Sequence, residues 1–311
     1  CDRAKFPASP LPAPAIPGYP AGMLPPPFFD SHVHSCFSPD GQGDLADYAA
    51  RVDVGAARGI GFAEHYDFLP ICGAYGYLDE IAYKAEIAGW VARGYCFFAG
   101  VEVDFVISEL DAIRSALQRH RFDFVIASIH TLPSGGVSDR DISHWDDDAV
   151  FDRMLSEYEA EFTASLAVPE VDVLGHPGVF QRYLQPGFFA GKPWRQRIRD
   201  LEASLAERAA ASDKLVEVNC SGLYAPLAGT CATPFFLGHY RDHGGKLLSL
   251  GSDAHRPEDL GRGLAKGAAL LRSLGFAEIW LPWDRAVPIP LADLADPAAA
   301  KTAQAAKAGR P

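Results

Sequence analysis

Six of the chain's histidines and several of its carboxylates stand where short hydrophobic runs end. The first run closes on Asp30, Ser31, His32, Val33 and His34, the second on Glu64 and His65, and the third on Glu102, Val103 and Asp104. His130 closes a fourth, His176 a fifth, and Asp253, Ala254 and His255 a last one. Imidazole nitrogens together with carboxylate oxygens suit zinc, iron or manganese, and the lack of a thiolate cluster argues against a structural zinc knuckle. Side chains at i and i+2 of a strand point to one face, so His32 with His34, and Asp253 with His255, are each placed to reach one cation or two neighbouring ones. A single histidine at one strand end is more often a hydrogen-bonded core or surface residue. It is the recurrence at successive strand ends that favours a metal centre. By the same alternation Glu64 faces away from His65 and reads as a supporting or packing partner. His120, His144, His239 and His243 have no strand-end position and read as ordinary polar residues, and Cys36 reads as structural.

Residues 32 and 255 meet in one pocket only if a scaffold returns the chain to the same place repeatedly. The β-rich runs are Phe28–His34, Ile60–His65, Cys96–Phe105, Phe122–His130, Val171–His176, Leu215–Asn219 and Leu247–His255. Helix-length amphipathic runs separate or follow them: Asp44–Arg58, Leu78–Arg93, Ser108–Arg119, Val150–Leu166, Trp194–Ala211, Thr233–His243 and Leu260–Leu274. This alternation is that of an α/β protein with a parallel sheet wrapped by helices, and seven such units close into a barrel. Barrel enzymes build their sites at the C-terminal ends of the strands, which is where the histidines fall. A last apolar run, Phe276–Leu281, is expected to be an eighth strand or a plug for the barrel floor. Residues 1–27 are too proline-rich to form a core element and read as a semi-extended leader, residues 28–291 as the barrel, and the Ala/Lys-rich residues 292–311 as a frayed tail.

With 311 residues and 48% hydrophobic content, the chain can bury one large core. Its 28 basic against 40 acidic residues give a formal charge of -12, which disfavours a nucleic-acid or anionic-membrane partner. No run approaches the roughly 18 apolar residues of a membrane span. Six widely spaced cysteines without a C-x-x-C pair suit a reduced, cytoplasmic setting, although Cys1 ahead of the leader is also what a lipoprotein tether would present. No heptad or interface stripe reveals an oligomeric state.

Seven segments, in order, carry a resemblance: FFDSHVHSCFSPDG, GFAEHYDF, AGVEVDF, DFVIASIHTL, VDVLGHPG, VEVNCSGLY and LSLGSDAHRPEDLGRG. The chain from about Phe28 to Trp280 resembles the PHP (polymerase and histidinol phosphatase) superfamily, and within it the histidinol-phosphate phosphatases. The resemblance implies a distorted (β/α)7 TIM-like barrel with three divalent metal ions, zinc, manganese or iron. His32, His34, Glu102 and Asp253 would hold the first, with Glu102 bridging to a second held also by His130 and His176. Asp40, His65 and His255 would hold the third. Asp40 enters only through the resemblance, since by its residue type and loop position alone an Asp-Gly turn with Gly41 is the preferred reading.

The implied activity is hydrolysis of a small phosphomonoester, histidinol phosphate above all, by a metal-bridging hydroxide, with Asp253, His255 and Glu102 as candidate catalytic residues. Arg182 and Arg256 are candidate phosphate contacts, and Asn219 with Ser221 candidate neutral hydrogen-bonding partners. One departure stands out: after VEVNCSGL a basic residue is expected, and the chain reads Tyr224, Ala225, Pro226, Leu227. That leaves open another phosphorylated metabolite, or a phosphodiesterase acting on nucleotides. A structural PHP module would typically have lost ligands, whereas all nine positions are filled here. A metal-dependent amidohydrolase would normally carry a strand-four lysine, which the Thr131-Leu132 continuation lacks.

Overall fold

A computed structural model describes residues 28–137, 147–184, 187–225 and 229–294. Seven strands lie in the order β1-β2-β3-β4-β7-β8-β9, every neighbouring pair parallel. They are β1 (Phe29–Val33), β2 (Gly59–His65), β3 (Phe97–Asp104), β4 (Phe124–Ser128), β7 (Val173–Leu174), β8 (Leu215–Asn219) and β9 (Leu248–Gly251). Between β4 and β7 a short hairpin, β5 (Thr131–Leu132) with β6 (Gly135–Gly136), leaves the barrel wall. The outer helices are α1 (Leu45–Asp53), α2 (Glu80–Val91), α3 (Leu110–Arg119), α4 (Asp148–Leu166), α5 (Trp194–Ala210), α6 (Pro234–Asp242) and α7 (Leu264–Ser273). Their starts follow ordinary capping chemistry: Asp44 and Asp47 form a reciprocal capping box on α1, while Asp79, Asp147 and Thr233 cap α2, α4 and α6.

The sheet is a distorted (β/α)7 barrel whose seam runs between β1 and β9. Val33 bridges Ala254, His34 N donates to Ala254 O at 2.8 Å, and Asp253 N donates to His32 O at 2.9 Å. Side chains stitch the same seam: Asp30, fully buried, accepts from Ser252 N and Gly261 N, each at 2.9 Å, and from Ser252 Oγ at 2.5 Å. Asp30 is thus a closure residue rather than part of the metal-type cluster.

The floor of the barrel is aromatic. Phe276–Leu281 contributes β10 (Glu278–Leu281), which pairs antiparallel with β11 (Asp284–Pro290) instead of joining the barrel as an eighth strand. Trp280 and Trp283 of this hairpin pack on Ala63, Phe124, Ile126, Val173 and Leu215, and Trp283 stacks on Phe98 at 4.1 Å between ring centres. Room for these rings comes from small residues on the inward face. A Cβ at Gly61 would lie 2.4 Å from Trp283 Cζ3, and one at Gly100 2.3 Å from Phe124 Cζ. Alternation then does the rest: along β3, Phe98 and Gly100 face the floor and Glu102, two residues on, faces the open end.

Three expected runs extend two or more residues beyond the C-terminal ends of the strands they contain. The run ending at His176 holds only β7, and the run ending at His255 holds only β9. In both, the missing residues include a non-glycine in the left-handed region, His176 at φ 24 and Asp253 at φ 58. The run ending at His130 likewise stops being strand at Ser128. The boundary expected at residue 291 falls inside a 3-10 turn, Leu291–Leu294, whose two leucines are buried. The leader 1–27, His144 and residues 295–311 lie outside the described residues. The five described cysteines are free thiols. Among the described residues no helix is long and apolar enough to cross a membrane.

Candidate metal centre

One buried carboxylate organises the open end of the barrel. Glu102 lies 3.5 Å from His32 Nε2, 3.5 Å from His34 Nε2, 3.2 Å from His65 Nδ1, 3.6 Å from His130 Nε2 and 2.7 Å from His176 Nε2. Asp253 stands on the other side of the first pair, 3.7 Å from His32 Nε2 and 3.5 Å from His34 Nε2. Four donors set tetrahedrally at about 2.0–2.1 Å from a zinc ion stand about 3.3–3.4 Å apart. The distances of His32 and His34 to each carboxylate lie close to that spacing, with the two Nε2 atoms 3.1 Å apart and Glu102 meeting His32 through Oε1 and His34 through Oε2. His130 and His176 face each other across 3.2 Å beside Glu102. Towards solvent, Asp40 Oδ2 lies 3.5 Å from His65 Nε2 and 3.1 Å from His255 Nε2. All nine expected ligands therefore converge, and the donor set fits divalent cations.

The ring orientations are fixed from behind. His32 Nδ1 bonds Glu217 Oε1 at 2.7 Å, and His34 Nδ1 bonds Ser38 Oγ at 3.2 Å, so both Nε2 atoms are turned inward. Ser38 Oγ donates to Glu64 at 2.6 Å and receives the His65 amide at 2.9 Å, leaving it to accept from His34 Nδ1. Glu64 also takes Ser35 N and Oγ, so this carboxylate, facing away from the cluster as alternation requires, ties down the loop that carries Asp40. Ser128 Oγ donates to Glu102 at 2.6 Å, and Asp104 Oδ1 receives the amides of His130 and Thr131.

Burial disfavours charge throughout, and the outcome depends on each group's partners. Burial, with the positive His255 and His65 nearby, holds His34 down to about 3. Burial also opposes charge on His32, but Glu217 and Glu102 outweigh it and push that imidazole well above its usual value. The two imidazoles of this pair are thus pushed in opposite directions by their different partners. Burial would raise Glu102 and Asp253, yet the surrounding histidines hold both well below the carboxylate range.

Spacing alone misplaced the reason that Asp253 and His255 converge. They lie beyond β9, and the left-handed Asp253 turns its carboxylate inward while its amide anchors on β1. Of the candidate substrate residues, Arg182 and Arg256 line a cavity of about 640 Å³ above the cluster, together with Ser221 and Tyr224. Arg182 Nη1 donates to Asp253 Oδ2 at 3.0 Å and to Ser221 Oγ at 2.8 Å. Asn219 requires correction. It is fully buried and does not line the cavity, because its amide donates to Glu217 and its carbonyl accepts from Ser221. Glu217 itself was missed. It accepts from His32 Nδ1 and, at 2.8 Å, from the His176 amide. Its signal was a carboxylate between Val216 and Val218 of the buried strand β8, on the face it shares with Asn219.

The PHP domain family model matches residues 30–221. The chain belongs to the PHP family. Two curated relatives of this PHP domain are each named "Probable histidinol-phosphatase". The one from Thermotoga maritima is 21% identical over 265 residues, 84% of this chain and 99% of the relative. The one from Clostridium acetobutylicum is 23% identical over 237 residues, 75% and 88% of the two chains. Among solved structures, the histidinol phosphate phosphatase of Lactococcus lactis, complexed with zinc, L-histidinol and phosphate, superposes with a TM-score of 0.68 at 22% identity, covering 82% of this chain and 97% of that one. The likeness shows the fold.

Proposed function

We propose that this PHP domain is a metal-dependent phosphomonoesterase holding three divalent cations, with histidinol phosphate as its foremost candidate substrate. The observation that carries the reading is Glu102, one carboxylate within 3.6 Å of five imidazoles, flanked by a second carboxylate. A group so placed is suited to being shared between cations. His32, His34, Glu102 and Asp253 would hold one ion, Glu102, His130 and His176 a second, and Asp40, His65 and His255 a third. When bound, such ions supply a water acidified towards neutrality and positive charge for the phosphoryl oxygens.

The chain's own residues do the remaining work. Asp253 faces the inner histidines through Oδ1 and Arg182 through Oδ2, so it couples the cradle to the guanidinium that receives a phosphate oxygen. Ser221 fixes that guanidinium from the side. His255 and Asp40, at the solvent edge, would face the leaving group. Histidinol phosphate is favoured by the names of the curated relatives and by the ligands of the L. lactis structure. Tyr224 at the cavity wall favours keeping other small phosphorylated metabolites, and nucleotide phosphodiesters, in the substrate panel. The test is metal analysis of the purified protein, followed by turnover of a panel including L-histidinol phosphate, p-nitrophenyl phosphate and an amide. Chelation is expected to abolish phosphatase activity and zinc, manganese or iron to restore it. Full activity after chelation, or turnover of the amide alone, overturns the proposal.

A further inference from the structure

The cavity mouth holds an arginine whose position is set from several sides. Arg262 lies in the β9–α7 loop with its guanidinium carbon 3.7 Å above the centre of the Tyr224 ring, while Nη1 donates to Asp259 Oδ1 at 2.8 Å. It is flanked by Gly261 and Gly263, at φ 75 and 86. Both glycines are pressed against neighbours. A Cβ at Gly263 would stand 2.9 Å from Cys220 Cβ and 3.2 Å from Leu223 Cδ1, and one at Gly261 2.7 Å from Ala56 O. Gly261 N is also bonded to the seam residue Asp30. The loop is therefore seated directly on the Ser221–Tyr224 turn, which fixes where Arg262 emerges.

Arg262, Tyr224 and Arg182 line the same cavity. Arg182 is already neutralised by Asp253. A guanidinium lying flat on an aromatic ring keeps its in-plane N–H donors pointing along the ring rather than into it, and Asp259 engages one of its five. With 48% of its side chain exposed, Arg262 can present the others to an anion entering from solvent.

We propose that Arg262 is a phosphate-binding residue of this site and that Tyr224 is its positioning residue. The positive charge absent after VEVNCSGL is thereby returned from the β9–α7 loop, with the tyrosine at that place serving as its platform. The inference rests on the phosphomonoesterase reading for the substrate but not for the contact with phosphate.

The test uses the full chain loaded with zinc and inorganic phosphate as the probe, by titration calorimetry. Arg262→Ala is expected to weaken phosphate binding by about tenfold or more, the size of a lost charge-assisted contact. Arg262→Lys should recover only part of it. Tyr224→Phe, which keeps the ring, should bind as the parent does, and Tyr224→Ala should weaken binding several-fold. The exposed Asp259 pair contributes little to folding, so these variants remain folded. With p-nitrophenyl phosphate, Arg262→Ala should raise KM more than it lowers kcat. Phosphate binding unchanged in Arg262→Ala, or no binding by the parent, overturns the Arg262 assignment, and binding unchanged in Tyr224→Ala overturns the platform. A parent that binds phosphate through Arg262 yet hydrolyses no phosphomonoester ends the proposed function and leaves this inference standing.

Discussion

Glu217→Gln preserves volume and removes one acceptor, so it isolates what the carboxylate does. Oε1 receives His32 Nδ1, and Oε2 receives the His176 backbone amide and the Asn219 side chain. A carboxamide has one oxygen for these three donors. The His176 N–H cannot reverse its polarity, whereas the His32 ring can exchange tautomers, so the amide nitrogen should turn to His32. Nδ1 must then accept, and the proton moves to Nε2, the atom aimed at His34, Glu102 and Asp253. Metal affinity should fall about 10- to 100-fold, the usual range for losing a partner behind a ligand, or about 1.4–2.8 kcal/mol. The metal-free fold should change little. Glu217→Ala, by contrast, strands a buried N–H and should cost about 1–3 kcal/mol of stability as well. Zinc titration calorimetry and thermal melts of metal-free protein separate the two effects. Parental zinc affinity in Glu217→Gln would refute the tautomer argument.

Asp40→Asn should lose one equivalent of metal while retaining the inner ions, because it removes the carboxylate that faces His65 and His255 at the solvent edge. Plasma mass spectrometry of the dialysed protein checks this, and parental stoichiometry would remove Asp40 from the ligand set. For the metal-free protein, the share of stability that His34 and His65 contribute should be greatest near pH 6.5, read as the difference between the parent and its His34→Asn and His65→Asn variants. Burial and two cationic neighbours hold His34 at about 3, so the unfolded chain binds more protons between about pH 3 and 6.5 and stability falls as the pH falls through that interval. Burial opposes charge on His65, but the Asp40 hydrogen bond and Glu102 raise it to about 9, so stability also falls as the pH rises from about 6.5 through 9. Parent-minus-variant differences in melting free energy that do not change with pH in these two intervals contradict this. Trp283→Ala should cost about 3 kcal/mol through the emptied barrel floor and leave metal content unchanged, as unfolding in denaturant and metal analysis would report.

The convergence of the candidate ligands was legible because strand alternation and barrel geometry act on residue type alone. His32, His65, Glu102 and His130 needed only that, whereas Asp40, in a loop, needed the family pattern. What stayed hidden depended on contacts across the chain. Glu217 is recognisable only once His32 and the His176 amide are known to meet it. Asn219 carries the right chemistry for a substrate contact, but its hydrogen bonds are consumed inside the wall. Arg262 is one surface arginine among many until Tyr224 is found beneath it. The left-handed His176 and Asp253 break a local preference for tertiary gain, which no strand propensity predicts.

The seam between β1 and β9 also orders events in time. His32 and His34 emerge early in synthesis and Asp253 and His255 late, and their two halves are joined by the last barrel pairing. A nascent chain that has not reached residue 253 therefore offers His32, His34 and Glu102 but lacks Asp253, the fourth residue of the inner cradle. The proposed inner site is thus completed only by the final zipping of the wall, when Asp253 joins residues contributed by the first three strands.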